Sequence, residues 1–173
     1  MNEVLKAMKE RRSVRAFKPD VPKKELLEQI AEAGIYAPSG RNSQSAIILA
    51  VTDPIVRQKL MEANRAILGR TEGDPFYGAP VIFVVLRNKA VGTSIYDGSL
   101  VMENLMLAAH SLGLGSIWIH RAKEEFETEE YKSLLKSLGV EGDWEGVGHC
   151  AVGYAESALP AAPARKPNRV YWI

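Results

Sequence analysis

Apolar positions along the chain recur at helical spacing in some stretches and run together in others, and this pattern predicts most of its elements. In residues 2–12, Val4, Leu5 and Met8 share one face of a short helix. Ser13–Asp20 follows as a loop, and Val21-Pro22 announces a second helix, since proline suits a first turn. Leu26, Ile30, Ala33 and Ala37 then repeat at helical spacing until Pro38-Ser39-Gly40 ends the run. Ser45–Val51 reads as a buried strand. Asp53-Pro54 caps a third helix with Val56, Leu60, Ala63 and Ile67 on one stripe. Glycines and prolines make 69–80 a loop, and Pro80–Leu86 lacks alternation, as a strand covered on both faces should. Asn88–Gly98 reads as another loop, with Ser99 capping a helix that is apolar nearly all round and therefore central. Gly113 sits where that helix needs a left-handed residue to stop. Leu114–Ile119 is a short strand, Glu124–Leu138 an acidic-then-basic surface helix, and Gly146–Tyr154 the last internal strand.

Helices and strands alternate, which alone suggests a parallel α/β sheet. No strand leads into a GxGxxG turn or a GxxxxGK[ST] loop, so the usual nucleotide-phosphate devices of such sheets are missing. From Ala155 the pattern changes. SALPAAPARKPNRVYWI holds three of the nine prolines and little helical periodicity, yet it ends on Val170, Tyr171, Trp172 and Ile173. That ending is too apolar to leave in water without cause. It either packs along its own domain or wraps a second subunit.

Composition adds bounds rather than chemistry. The 173 residues match one domain, and 46% hydrophobic with 25% charged residues is ordinary globular usage. Twenty-two Lys plus Arg against 21 Asp plus Glu leaves +1, which points to neither a nucleic-acid binder nor a membrane-surface binder. The single cysteine, Cys150, permits no internal disulfide, and the charged start MNEVLKAMKERR has no apolar signal core, so a soluble cytoplasmic protein is expected.

Three polar clusters lie in loops. Arg11-Arg12-Ser13-Val14-Arg15 offers three guanidiniums and a hydroxyl within five residues, which suits a phosphate, or else a solvated helix end. In Ala37–Gln44, Gly40 permits close backbone approach while Ser39, Asn42 and Gln44 supply donors and acceptors for a hydroxylated or heterocyclic ligand. The same stretch also serves as a plain helix-to-strand turn. Arg165-Lys166 is the third cluster, and alone it reads as solvated surface. One mechanism would join all three: a phosphorylated cofactor held between distant parts of the chain. His120-Arg121, at the end of a strand, is a further candidate contact.

Familiar catalytic patterns are absent. His110, His120 and His149 stand isolated, so no metal site is expected, and there is no GxSxG elbow. Cys150 and His149 are neighbours on a strand and point to opposite faces, so Cys150 reads as a small buried hydrophobe. Glu124, Glu125, Glu127, Glu129 and Glu130 read as a solvated charge run, and no acid–base pair stands out.

The stretches RRSVRAF (11–17), APSGRNSQ (37–44), FYGAPVIFVV (76–85), DGSLVMENLMLAAHSLGLGSIWIHRA (97–122), GHCAVGY (148–154) and RKPNRVYWI (165–173) resemble, together and in order, the nitroreductase family of FMN-dependent oxidoreductases. The resemblance spans the whole chain and is that of a short member. It implies one domain over 1–173 with an α+β fold, a mostly antiparallel central sheet flanked by helices. It also implies a homodimer in which the 155–173 tail packs on the partner subunit, overriding the parallel reading. Two FMN molecules would lie at the dimer interface. Arg11, Arg12 and Ser13 would meet the FMN phosphate and ribityl chain, and Arg15 the pyrimidine edge. From the other subunit, Pro38, Ser39 and Gly40 would pack on the ring and Asn42 would reach the ribityl chain. Backbone groups near His120 and Arg121 would face N5 and O4, and Arg165 and Lys166 would complete the phosphate site.

The implied activity is NAD(P)H-dependent reduction of nitroaromatics, quinones or similar small acceptors by a ping-pong hydride mechanism. FMN carries the chemistry, so the lack of an acid–base pair is no objection. The alternative is a flavin-binding carrier or sensor without turnover. Many members have Gln-Pro-Trp where this chain has Gln44-Ser45-Ala46, and the family's side-chain contact to the flavin carbonyls is not identifiable between Asn64 and Thr71. Tyr77, Tyr96 and Trp118 are the candidates for a substrate pocket.

Overall fold

Asn2 opens α1 (Glu3–Glu10) by accepting from the Leu5 N–H at 2.9 Å, in a computed structural model that describes residues 1–173. Helix α2 (Lys24–Ile35) begins two residues after Pro22, which therefore lies outside the helix rather than in its first turn. After strand β1 (Ala46–Val51), Asp53 caps α3 (Pro54–Ile67), accepting from the N–H groups of Ile55 and Val56 at 2.7 and 3.0 Å. Strand β2 (Val81–Asn88), the long helix α4 (Ser94–Ser111), strand β3 (Gly115–Ile119), helices α5 (Ala122–Phe126) and α6 (Glu129–Ser137) and strand β4 (Trp144–Gly153) complete the order.

The four strands form one sheet in the order β1-β2-β4-β3, and every neighbouring pair is antiparallel. The parallel sheet suggested by alternating elements is therefore not formed, whereas the antiparallel α+β expectation is met. Alternation fails as a guide here because the loop after α3 carries the chain back along the sheet before β2 begins, reversing the strand direction.

The unbroken apolar run of β2 is buried on both faces. Ile82, Val84 and Leu86 join a core beneath α3, α5 and α6, while Val81, Phe83 and Val85 join a second core beneath α2 and α4. Burying each such side chain contributes about 1.5–3 kcal/mol, so the β2–β4 pair anchors both layers. A bulge at Val147 shifts the β2–β4 register between Val85 and Leu86 and sets His149 facing the α5 side with Ala151. Cys150 points to the opposite core, and burial pushes its thiol up to about 12, which makes it inert packing rather than a nucleophile.

Three sequence expectations need correction. The stretch read as a loop to Gly98 with Ser99 as cap is helical from Ser94, and Thr93 holds the cap position. Asp97 is buried there because neighbouring donors satisfy it, and Ser99 bonds back to the Ile95 carbonyl at 2.8 Å inside the helix. The single helix expected over Glu124–Leu138 is two, broken at Glu127-Thr128. The last strand starts at Trp144, two residues before Gly146.

Helix α5 lies against β4 so closely that a Cβ on Gly146 would stand 2.1 Å from the carbonyl carbon and oxygen of Ala122. Backbone has no rotamer with which to yield. Gly146→Ala should therefore cost about 1–3 kcal/mol in a denaturant titration. Gly92→Ala, where a Cβ meets nothing within 4 Å, should stay within about 0.5 kcal/mol.

Candidate functional site

Strand β3 is an edge strand with a polar cluster at each end. At its start, Val14 N–H donates to the Ser116 carbonyl at 3.0 Å, and Ser13 bridges Ser116 in parallel. The Val14 side chain is buried, and the extended backbone turns its neighbours Ser13 and Arg15 to the surface. Arg11 and Arg12 are half-buried. The Nε atoms of both are shielded from solvent and have no hydrogen-bond partner, although Arg11 Nε lies 3.8 Å from Glu103 Oε1. Arg12 spends one nitrogen on main-chain carbonyls, those of Lys9 at 2.8 Å and of Arg11. Unpaired buried donors cost about 1–3 kcal/mol each, a cost that an incoming anion would offset.

At its other end, β3 runs into exposed His120 and half-buried Arg121, about 13 Å from Ser116 at 3.3 Å per residue. Arg121 has φ 80°, a left-handed conformation that costs a non-glycine residue about 1–2 kcal/mol. Asn64 on α3 meets it from below. Its Oδ1 accepts from Arg121 Nε at 3.0 Å, and its Nδ2 donates to the His120 carbonyl at 2.9 Å and to Glu125 Oε1 at 2.7 Å. Glu125 Oε2 and His149 Nε2 share a hydrogen bond at 2.7 Å, and Asn64, Glu125 and His149 are all fully buried.

Two sequence readings are thereby corrected. Glu125 is not part of the solvated charge run, and His149 is not isolated. A glutamate is tolerated in this core because Asn64 and His149 each hydrogen-bond one of its oxygens, which composition and local charge pattern cannot show. The available signal was positional: Asn64 lies three residues beyond Met61 on the buried face of α3, and His149 interrupts an apolar strand.

The loop from Pro38 to Gln44 is held from α4. Asp97 Oδ1 accepts from the Gly40 N–H at 2.9 Å, and its Oδ2 accepts from the hydroxyls of Ser45 at 2.6 Å, Thr93 at 3.1 Å and Ser43 at 3.3 Å. Pro38 and Asn42 are exposed, and Ser39 and Gly40 half-buried. Arg41, Asn42 and Gln44 carry φ of 55°, 54° and 45°. A Cβ on Gly40 would stand 2.6 Å from Thr93 Oγ1, so glycine is what lets this loop close on α4.

The Pro38–Gln44 cluster is not brought to the two clusters on β3 within one chain. The Pro38–Gln44 loop leads into β1 and His120-Arg121 leaves β3, the two outer strands, about 14 Å apart across three inter-strand steps. Arg165 and Lys166 lie on a tail in which every residue from 156 to 173 is exposed. The tail does not pack along its own domain. Val4, Leu5 and Met8 on α1, with Ile35, Tyr36, Tyr96 and Trp172, are likewise bare apolar surface.

Burial alone would raise the Asp97 carboxyl, but its four hydrogen bonds outweigh burial and hold it below the ordinary value of 3.8. A carboxyl lowered on folding stabilises the fold at pH above its unfolded value and loses that contribution as pH falls through the folded one. Wild type should therefore exceed Asp97→Asn in stability at neutral pH. The gap should narrow below about pH 3.8 when unfolding is measured at a series of pH values.

With this geometry in hand, comparison with known proteins is specific. The Nitroreductase family model matches residues 8–74 and 68–154. A provisionally named NADH dehydrogenase/NAD(P)H nitroreductase of Archaeoglobus fulgidus is 32% identical over 145 residues, 81% of this chain and 78% of that one. Among solved structures, a nitroreductase with bound FMN from Bacteroides fragilis superposes with a TM-score of 0.90 at 30% identity, over 100% of both chains. One from Desulfitobacterium hafniense, also with bound FMN, gives 0.88 at 29%, over 100% of this chain and 99% of that one. Both matched segments contain polar clusters described above, and the chain belongs to the nitroreductase family.

Proposed function

We propose that this protein is an FMN-dependent NAD(P)H oxidoreductase that reduces nitroaromatics, quinones or similar small acceptors in ping-pong order. The observation that carries the reading is the pair of buried, unpartnered Nε donors on Arg11 and Arg12 beside exposed Ser13 and Arg15. They form a cationic cluster at the start of β3 whose two Nε donors have no hydrogen-bond partner in the chain. A flavin mononucleotide fits it by chemistry: the phosphate takes the donors of Arg11, Arg12 and Ser13. Arg15 then sets a permanent charge beside the pyrimidine edge, where reduction adds negative charge. FMN, when bound, supplies the hydride chemistry. The backbone at His120 and Arg121 would orient its N5 and O4 edge from the far end of β3.

The second wall comes, in this reading, from a partner subunit. Pro38, Ser39 and Gly40 of the partner cover the ring and its Asn42 reaches the ribityl chain, while Arg165 and Lys166 complete the phosphate site. The distance between the outer strands supports this, as does the bare apolar surface of α1 and of the tail. A homodimer with the 155–173 segment packed on the partner would cover both, and residues 1–173 make one domain. Free edge strand β1, with apolar grooves on both sides lined by Leu27, Phe83, Val56 and Leu134, suits an added apolar strand such as Val170–Ile173. No helix is long and apolar enough to cross a membrane. The cytoplasm suits a chain whose one cysteine is buried and free.

Purified protein should show flavin absorption that bleaches within seconds when NADH or NADPH is added under nitrogen. Bands that persist with both donors would contradict turnover and leave a flavin carrier. Arg11→Ala with Ser13→Ala should purify colourless at unchanged fold, and a fully yellow variant would overturn the phosphate assignment.

A further inference from the structure

We propose that Asn64, Glu125 and His149 form a buried positioning device that holds Arg121 left-handed, and so fixes the backbone that faces the redox edge of the cofactor. The proposal rests on the FMN reading for its purpose, and on this chain's own geometry for its mechanism.

Arg121 adopts φ 80°, a conformation in which glycine is at ease and arginine is not. Something must impose it, and Asn64 is placed to do so. Its amide makes three hydrogen bonds, two of them to the turn: the His120 carbonyl on one side of the strained residue and the Arg121 side chain on the other. With both ends held, rotation of the 120–121 backbone towards an ordinary φ breaks one bond or the other.

A flipped amide would set its oxygen against the His120 carbonyl and its N–H groups against Arg121 Nε–H, and Glu125 Oε1, which takes the second N–H, reinforces the one orientation. His149 in turn occupies Oε2 of Glu125, and its other ring nitrogen lies 3.4 Å from the Ile119 carbonyl, the residue at which β3 ends. The chain of contacts thus begins and ends on residues 119–121. Phe76 packs against the His149 imidazole at 5.2 Å between ring centres, so the histidine has little room to rotate. Buried polar groups paired with one another in this way favour a single local geometry.

None of these three side chains has a place in the chemistry. All are fully buried, and both N–H donors of Asn64 are already spent on His120 and Glu125. They are positioning residues.

Asn64→Leu keeps the volume and removes every bond of the network to the turn. In the yellow holoprotein it should speed amide exchange at residues 119–122 at least tenfold while leaving β2 and β4 protected. It should also change the ratio of affinities for reduced over oxidised flavin by about tenfold, about 30 mV in the two-electron midpoint potential. Arg121→Gly introduced into Asn64→Leu should restore both readouts, because glycine needs no support at φ 80°. Should Asn64→Leu fail to fold alone, recovery of folding with Arg121→Gly is the same rescue.

Unchanged exchange in a folded Asn64→Leu protein, or no rescue by Arg121→Gly, would overturn the proposal. A failure of both variants to fold would do so as well, since it would place the network in the general core. A wild type that binds no FMN would instead sink the functional reading, and the exchange experiment would still decide the structural one.

Discussion

A sheet buried on both faces leaves only its ends and outer edges for chemistry, and the rest of this molecule follows from that constraint. Strands β2 and β4 are sealed between α2 and α4 on one side and α3, α5 and α6 on the other, with Ile82, Phe83, Val84 and Ala151 wholly inaccessible. A ligand of any size must therefore meet the chain beside β3, beside β1 or where loops leave the sheet. Those are the places where the polar clusters lie: residues 11–15 and 120–121 at the two ends of β3, and 38–44 ahead of β1. Under the proposed reading, their placement on opposite edges would make each chain half a site, and the uncovered apolar surface of α1 and the tail would give two chains a reason to meet.

Loops at the rim of a sealed sheet need to be held, and this protein holds them with buried polar side chains. Asp97 reaches from α4 to gather Gly40, Ser43 and Ser45, and Asn64 reaches from α3 to grip His120 and Arg121. Each is satisfied by several partners, which is the condition for burying such groups at tolerable cost. Four of the six non-glycine residues with positive φ, Arg41, Asn42, Gln44 and Arg121, lie in the loops so braced. Pre-set loops lose less entropy on binding, and a rigid ring gains most from walls that do not move.

Much of this was legible in the sequence. The unbroken run in β2 announced burial on both faces, Asp53-Pro54 marked the start of α3, and the loop clusters stood out as polar residues between apolar runs. Resemblance carried the antiparallel topology, which alternation alone misread. What stayed hidden were contacts between residues far apart in the chain. Glu125 sits among glutamates that are solvated, and only the approach of Asn64, 61 residues earlier, and His149, 24 residues later, lets it leave the water. Asp97 looked like loop for the same reason: its donors come from residues 40–45 as well as from Thr93. A buried polar residue is defined by partners that local periodicity does not contain.

The central claim is that one cofactor site needs two chains, and complementation tests it most directly. One chain carries Arg11→Ala with Ser13→Ala. The other carries Ser39→Tyr with Asn42→Ala, so that a side chain fills the ring's space. Each variant alone should purify colourless. Unfolded together in equal amounts and refolded with FMN, they should regain about one quarter of the wild-type flavin, because half of a random dimer population pairs one intact half-site of each kind. No recovery from two variants that each fold and dimerise would contradict a shared site and return the cofactor to a single chain.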